Sequence, residues 1–322
     1  MALTSQPALA KHARMGFGIQ TAEGTEFLTD HNVADLTVVP WNDTLDFGRN
    51  PNLEVYRQAD YLDCDHLVFS SGEWFEGGVP IVIQPVVASM DVLLSWIQDR
   101  DSYNQGLFAS VYIIDEWRQR KVMDVKVGEA SITVNKGRPV DFALQLIGKS
   151  DGTQDASAIA NIQVAGPYVW NEGVVSVVAD VSLGALAADL EFEALEIRID
   201  NSLEDAGEGL RITSGLNPRR LYNLSGIRCT GTFTRDFISA VYFTAWQAQY
   251  NNIFSSVNDG SLRLVLTRAA AALQLDMPRV KWMTVRADLP GDNESRIILN
   301  VDWMALGDES RPQAEPITLS TP

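Results

Sequence analysis

Hydrophobic and polar positions along the chain fall into two successive runs of the same elements. In the first run, residues 35–41 read as a strand, and a long polar segment, residues 42–65, follows it. Residues 71–83 alternate in character around Gly72, Gly77 and Gly78, the pattern of a strand with a bulge or a close backbone approach at glycine. Residues 89–99 place Val92, Leu93, Trp96 and Ile97 on one face of a short amphipathic helix, with Ser89 as its cap. A strand over 107–114 comes next. A hairpin then closes the run, from 130–134 through the turn residues 135–139 into 140–148.

The second run repeats this order. A strand over 191–199 leads into a polar segment, 200–222, then a glycine-containing strand, 225–233. A helix over 236–247 has Asp236 in front as a cap, and Trp246 stands where Trp96 stands in the first helix. A strand over 262–267 and a hairpin from 281–286 into 296–303 complete it. Compact domains seldom keep a structureless loop of about 20 residues without a task for it, so the two polar segments are candidate contact surfaces. The repeat predicts a mainly β chain of two tandem domains, 1–155 and 156–322, each with one short helix. The join falls in the linker-like stretch 150–157.

Composition adds limits. At 322 residues, 46% hydrophobic and 21% charged, the chain can bury two cores and has no tract that argues for disorder. Neither a signal peptide nor a membrane span is expected, which points to a protein made and kept inside a cell. Net charge is −17, and the acidity is shared, with 12 Lys+Arg against 20 Asp+Glu in residues 1–150 and 13 against 22 in the rest. Such a surface repels phosphate, which argues against a DNA-reading protein or a peripheral membrane protein. It suits a wall past which DNA must slide.

The search for chemistry finds little. Phosphate-loop, zinc-protease, serine-hydrolase and EF-hand motifs are absent from the sequence. His12, His31 and His66 are not spaced for a shared metal, and Asp63-Cys64-Asp65-His66 reads as solvated loop. Cys64 and Cys229 read as reduced packing residues. Gly16-Phe17-Gly18 lacks the third glycine and the helix of a dinucleotide site. The eight tryptophans are scattered over both halves, as core or interface residues would be. No enzyme activity, metal or cofactor is expected.

Residues 195–205 with the strand at 224–233, the opening 167–170, and Gly16-Phe17-Gly18 followed by 23–28 resemble the major tail tube proteins of long-tailed bacteriophages, in particular those with two tube domains in one chain. The resemblance implies small β-sandwich or half-barrel domains, each flanked by one helix. It also implies a virion structural protein, assembled in the host cytoplasm, whose stacked rings form a conduit for DNA ejection. A two-domain chain would close a pseudo-hexameric ring as a homotrimer. The tube would meet tape-measure, terminator and baseplate proteins, and DNA would pass through the lumen without specific binding. Contacts between rings are expected from the polar segments, through Arg49, Leu53, Val55, Tyr56, Arg57 and Tyr61 in the first and Leu210, Arg211, Ile212, Arg219 and Arg220 in the second, apolar anchors in a polar interface. Residues 50–61 should then be dispensable for folding. The alternatives are another tube-fold tail or baseplate component, or a carbohydrate-binding or hydrolytic β-sandwich.

Overall fold

A computed structural model describes residues 14–39, 46–56, 67–81, 87–114, 119–152, 168–178, 187–188, 192–210, 215–251, 259–268, 271–289, 296–307 and 315–321. The first half contributes β1 (Arg14–Ile19), α1 (Phe27–Asp30), β2 (Thr37–Val39), β3 (Asp46–Tyr56), β4 (Leu67–Ile81), α2 (Val87–Gln98), β5 (Ala109–Ile114), β6 (Gln119–Asn135), β7 (Asp141–Gly148) and β8 (Ser150–Gly152). The second contributes β9 (Gly173–Val178), β10 (Ala187–Ala188), β11 (Phe192–Asp200), β12 (Arg228–Asp236), α3 (Val241–Asn251), β13 (Gly260–Arg268), β14 (Ala271–Asp288), β15 (Ile298–Ala305) and β16 (Thr318–Ser320). The chain is β-rich with few helices.

Strand pairing follows one plan twice. In the first half the antiparallel neighbours run β2-β1-β5-β6-β7-β4-β3, with β8 on β6; in the second they run β10-β9-β13-β14-β15-β12-β11, with β16 on β14. Irregularities recur as well. The register slips between Ala109 and Val111 against β6, and between Gly260 and Leu262 against β14. It slips again at Val127/Glu129 against β7 and at Trp282/Thr284 against β15. A bulge bends its strand and adds local twist, so matching bulges give the two halves matching curvature.

Glycines mark another shared position. Gly77 lies opposite Leu146 and Phe47, and Gly231 lies opposite Trp303 and Ile197. A Cβ on Gly231 would stand 2.1 Å from the Glu196 carbonyl oxygen and 2.4 Å from the Trp303 ring. Gly77 has φ 149°, a value side-chain-bearing residues rarely adopt.

Packing under the helices differs between the halves. Buried Trp96 stacks on Phe17 at 4.7 Å and donates its indole N–H to the Leu107 carbonyl at 3.2 Å. In the second half the room is filled by Phe233, Tyr242 and Trp282, with ring centroids 5.5–5.9 Å apart in edge-to-face contacts. Strands β7 and β15 alternate buried and less buried residues along most of their length, so one face of each feeds the core. That core is continuous between the halves, with Ile97, Ala130 and Ile132 in one cluster with Leu195, Ile197 and Ile199.

Several expectations need correction. The first helix begins at Val87, so Ser89 lies inside it and does not cap it. The second begins at Val241: Asp236 ends β12 opposite Ile298, and the Phe237 N–H donates to the Ile297 carbonyl, which holds this stretch in the sheet. Trp246 is only partly buried, beside Tyr250, and does not occupy the buried place of Trp96. The first half also carries the extra helical turn α1. Residues 150–152 are strand, not linker. Residues 46–56 of the first polar segment are the strand β3, paired along β4 with Phe47 buried. Residues 50–56, part of the stretch expected to be dispensable for folding, are paired with β4 through their backbone, and 57–61 lie outside the described residues.

Candidate functional site at the seam of the two halves

Buried polar groups concentrate where the second half docks on the first. Strand β6 is long: β5 pairs with its first part, and beyond β5 the edge is taken up by β11, from Glu129↔Asp200 to Asn135↔Ala194. Sheet pairing alone would join the halves. Two asparagines then pin the chain that leaves β11.

Asn201 is buried with its hydrogen-bonding groups engaged. Its backbone N–H donates to the Gly128 carbonyl at 2.9 Å, and its side-chain amide donates to the carbonyls of Ile97 (3.1 Å) and Val127 (2.9 Å). Its Oδ1 accepts from Arg100 at 2.8 Å, and its carbonyl accepts from the Asn223 amide at 2.7 Å. Asn223 in turn accepts at Oδ1 from the Gly106 N–H (2.9 Å) and from Lys126 Nζ (3.0 Å). Its backbone N–H donates to Gln105 Oε1 at 2.7 Å. Satisfied in this way, such groups set a unique docking position; unsatisfied, each would cost about 1–3 kcal/mol.

Lys126 sits at 1% exposure with its ammonium over the Phe108 ring at 4.4 Å. Burial, helped by the charge of Arg100, brings its pKa down to about 8. Lys149 is the second buried cation, bound to Glu23 and donating to the Arg219 carbonyl at 3.0 Å; burial lowers its pKa to about 8 as well. The Asn217 amide reaches the Lys149 carbonyl at 2.9 Å, and the Glu73 N–H donates to the Leu216 carbonyl at 2.6 Å. Residues 201–210 and 215–224 thus lie along the first half of their own chain.

The sequence-predicted contact residues divide accordingly. Leu210 packs over Gly72, where a Cβ would meet its Cδ1 at 2.5 Å; Arg219 meets Lys149; Arg220 pairs with Glu204 at 3.2 Å. Arg49 on β3 pairs with Glu73 at 2.5 Å, and Leu53, Val55 and Tyr56 belong to β3. Arg57, Tyr61, Arg211 and Ile212 lie outside the described residues, as do Cys64 and His66. The sequence reading missed Asn201, Asn223, Lys126, Gln105 and Arg100. Only the position of Asn201 just past a strand marked it, and a polar residue there reads as an ordinary turn.

Most of the seam's polar atoms pair with one another, with Arg100 Nε and Nη1 left buried without a hydrogen-bond partner, and among the described residues no group of three or more His, Cys, Asp or Glu could hold a metal. No helix among them is long and apolar enough to cross a membrane. What the seam does is join two sheets of like topology edge to edge. Residues 11–305, nearly the whole chain, match the family model described as phage tail tube protein. The chain belongs to the phage tail tube protein family. A tail tube protein is a structural component of the virion. No curated protein matches the sequence.

Proposed function

We infer that this tail tube protein assembles with copies of itself into rings of three chains, stacked into the tube through which DNA leaves the capsid. Each chain supplies two tube domains, 1–155 and 156–322, that stand as successive positions of a six-unit ring. The seam carries this reading: the halves share strand order and bulges, and one is docked on the other by strand pairing, as neighbouring ring positions would be. Acidic residues in both halves keep the lumen from holding phosphate. Inter-ring contact is assigned to Arg49, Leu53, Val55 and Tyr56 of β3, together with Arg57 and Tyr61, which follow it in the sequence. Tape-measure, terminator and baseplate proteins are its partners at the tube ends.

Native mass spectrometry with negative-stain microscopy tests the proposal. Three-chain rings and hollow tubes are the expected result. Six-chain rings would remove the two-domain argument, and a monodisperse monomer with glycan affinity would replace the tube with a carbohydrate-binding sandwich.

A further inference from the structure

The seam inside one chain has a counterpart that the single chain leaves open. On β14 the pairing with β13 ends at Gly260↔Val280, as that of β5 on β6 ends at Ala109↔Val125. Gln249 caps the next step of this edge, its Oε1 accepting from the Trp282 N–H at 2.8 Å. From Met283 to Asp288 no strand pairs with that side among the described residues. On β6 the corresponding edge, starting at the matching bulge, is where β11 sits. The strand that corresponds to β11 is β3, outermost on its half and, among the described residues, paired on one side only, with β4.

We propose that β3 of a second copy adds antiparallel to the open edge of β14, in the register of the internal seam. Superposing the two pairing schemes, through Ile197↔Gly231 with Phe47↔Gly77 and through the two bulges, places Phe47 opposite Ala287, Gly48 opposite Arg286, Arg49 opposite Val285 and Asn50 opposite Thr284. Several of the facing pairs match the seam. In the seam the row Ile197↔Ile132 is apolar, and Phe47 with Ala287 keeps it so. Arg198 of the seam reaches diagonally to Glu129 at 3.1 Å; in the outer contact, exposed Arg286 on β14 stands diagonal to exposed Asp46 on β3, an opposite-charge pair with the signs exchanged between the strands, and it offsets the repulsion of Asp46 facing Asp288. Gly48 opposite Arg286 has open space around it, so the arginine meets no side chain.

Exposure points the same way. Val134, opposite Leu195 in the seam, packs against the core, whereas its counterpart beyond the end of β14, Leu289, is 75% exposed. Met283, in the place of Gly128 whose carbonyl accepts from Asn201, is 53% exposed. A contact in which one edge meets a different edge is head-to-tail, the kind that closes rings. The inference rests on the reading that copies of this chain assemble. It adds which strands meet and in what register.

Paired cysteines test it, in a background with Cys64 and Cys229 replaced by serine. Gly48→Cys with Arg286→Cys, and separately Asn50→Cys with Thr284→Cys, should join chains into covalent multimers when purified assemblies are oxidised with copper phenanthroline. Arg198→Cys with Ser131→Cys, the seam equivalent of the first pair, should close within one chain and produce no multimer. Multimers from both outer pairs, ending at the ring size seen by microscopy, support the proposal. Rings or tubes by microscopy with neither outer pair crosslinked, while the seam pair closes, overturn the register and leave the tube standing. Protein that stays monomeric by native mass spectrometry, with and without the substitutions, overturns the assembly reading and this contact with it.

Discussion

At the scale of residues, the seam depends on a few buried polar side chains, above all Asn201 and Asn223, whose amides are hydrogen-bonded on both sides. Asn201→Ala would strip donors from the Ile97 and Val127 carbonyls and the acceptor from Arg100, and should cost about 2–3 kcal/mol in urea unfolding. Gly231→Ala forces a methyl against the Glu196 carbonyl, which cannot retreat without parting β11 from β12, and should cost about 1–3 kcal/mol. Gly48→Ala, with open space around it, should shift stability by less than about 0.5 kcal/mol. The buried lysines set a pH dependence. Lys126 and Lys149 hold fewer protons folded than unfolded between about 8 and 10.5, so unfolding free energy rises with pH as it passes 8. Burial also keeps the Cys229 thiol and the Tyr112 hydroxyl protonated, with the charge of Glu26 assisting at Tyr112, and that opposes the rise above pH 9 and pH 10. Denaturant titrations from pH 7 to 9 should show the increase, and Lys126→Met should flatten it.

Among the elements, helices α2 and α3 are similar in length, 12 and 11 residues, and unequal in surroundings. Helix α2 is closed on a second side by β16, where Gln98 exchanges hydrogen bonds with the Leu319 backbone at 2.8 and 3.0 Å. On α3, Trp246 is partly covered and Tyr250 stands 74% exposed. Trp96→Ala should therefore cost about 3–5 kcal/mol and Trp246→Ala much less, about 1 kcal/mol, by thermal or urea unfolding of the unassembled chain. The helix periodicity was legible in both cases, and so were the hairpins, because period-3.6 and period-2 patterns report burial on one face. The start of α3 was not legible. A capping Asp before an apolar run looks the same whether it opens a helix or, as Asp236 does, ends a strand opposite Ile298.

For the whole molecule, the continuous core and the polar seam couple the halves, so calorimetry should show one unfolding transition for the unassembled chain, despite its length. A net charge of −17 per chain opposes packing of like subunits. Raising salt from about 0.01 to about 0.15 M shortens the screening length from about 30 to about 8 Å, and light scattering should show more assembly at the higher salt.

What the sequence determined by itself was local and periodic: a β-rich chain, a short amphipathic helix in each half, the order of elements repeated, and a net charge of −17. Glycine at 77 and 231 and the turn residues at 135–139 were readable because they answer to backbone geometry within a few residues. Tertiary structure decided the rest. Residues 46–56 looked like a polar loop, since charged and polar side chains dominate them, yet β4 supplies the hydrogen bonds that make them a strand. Residues 200–222 looked like a surface for another subunit, and Asn201, Leu210 and Arg219 instead meet the first half of their own chain. A strand edge and a buried amide are defined by the partner that satisfies them: β3 finds its partner in the next strand, β4, and the Asn201 amide finds the Ile97 carbonyl 104 residues away, where no local pattern can register it.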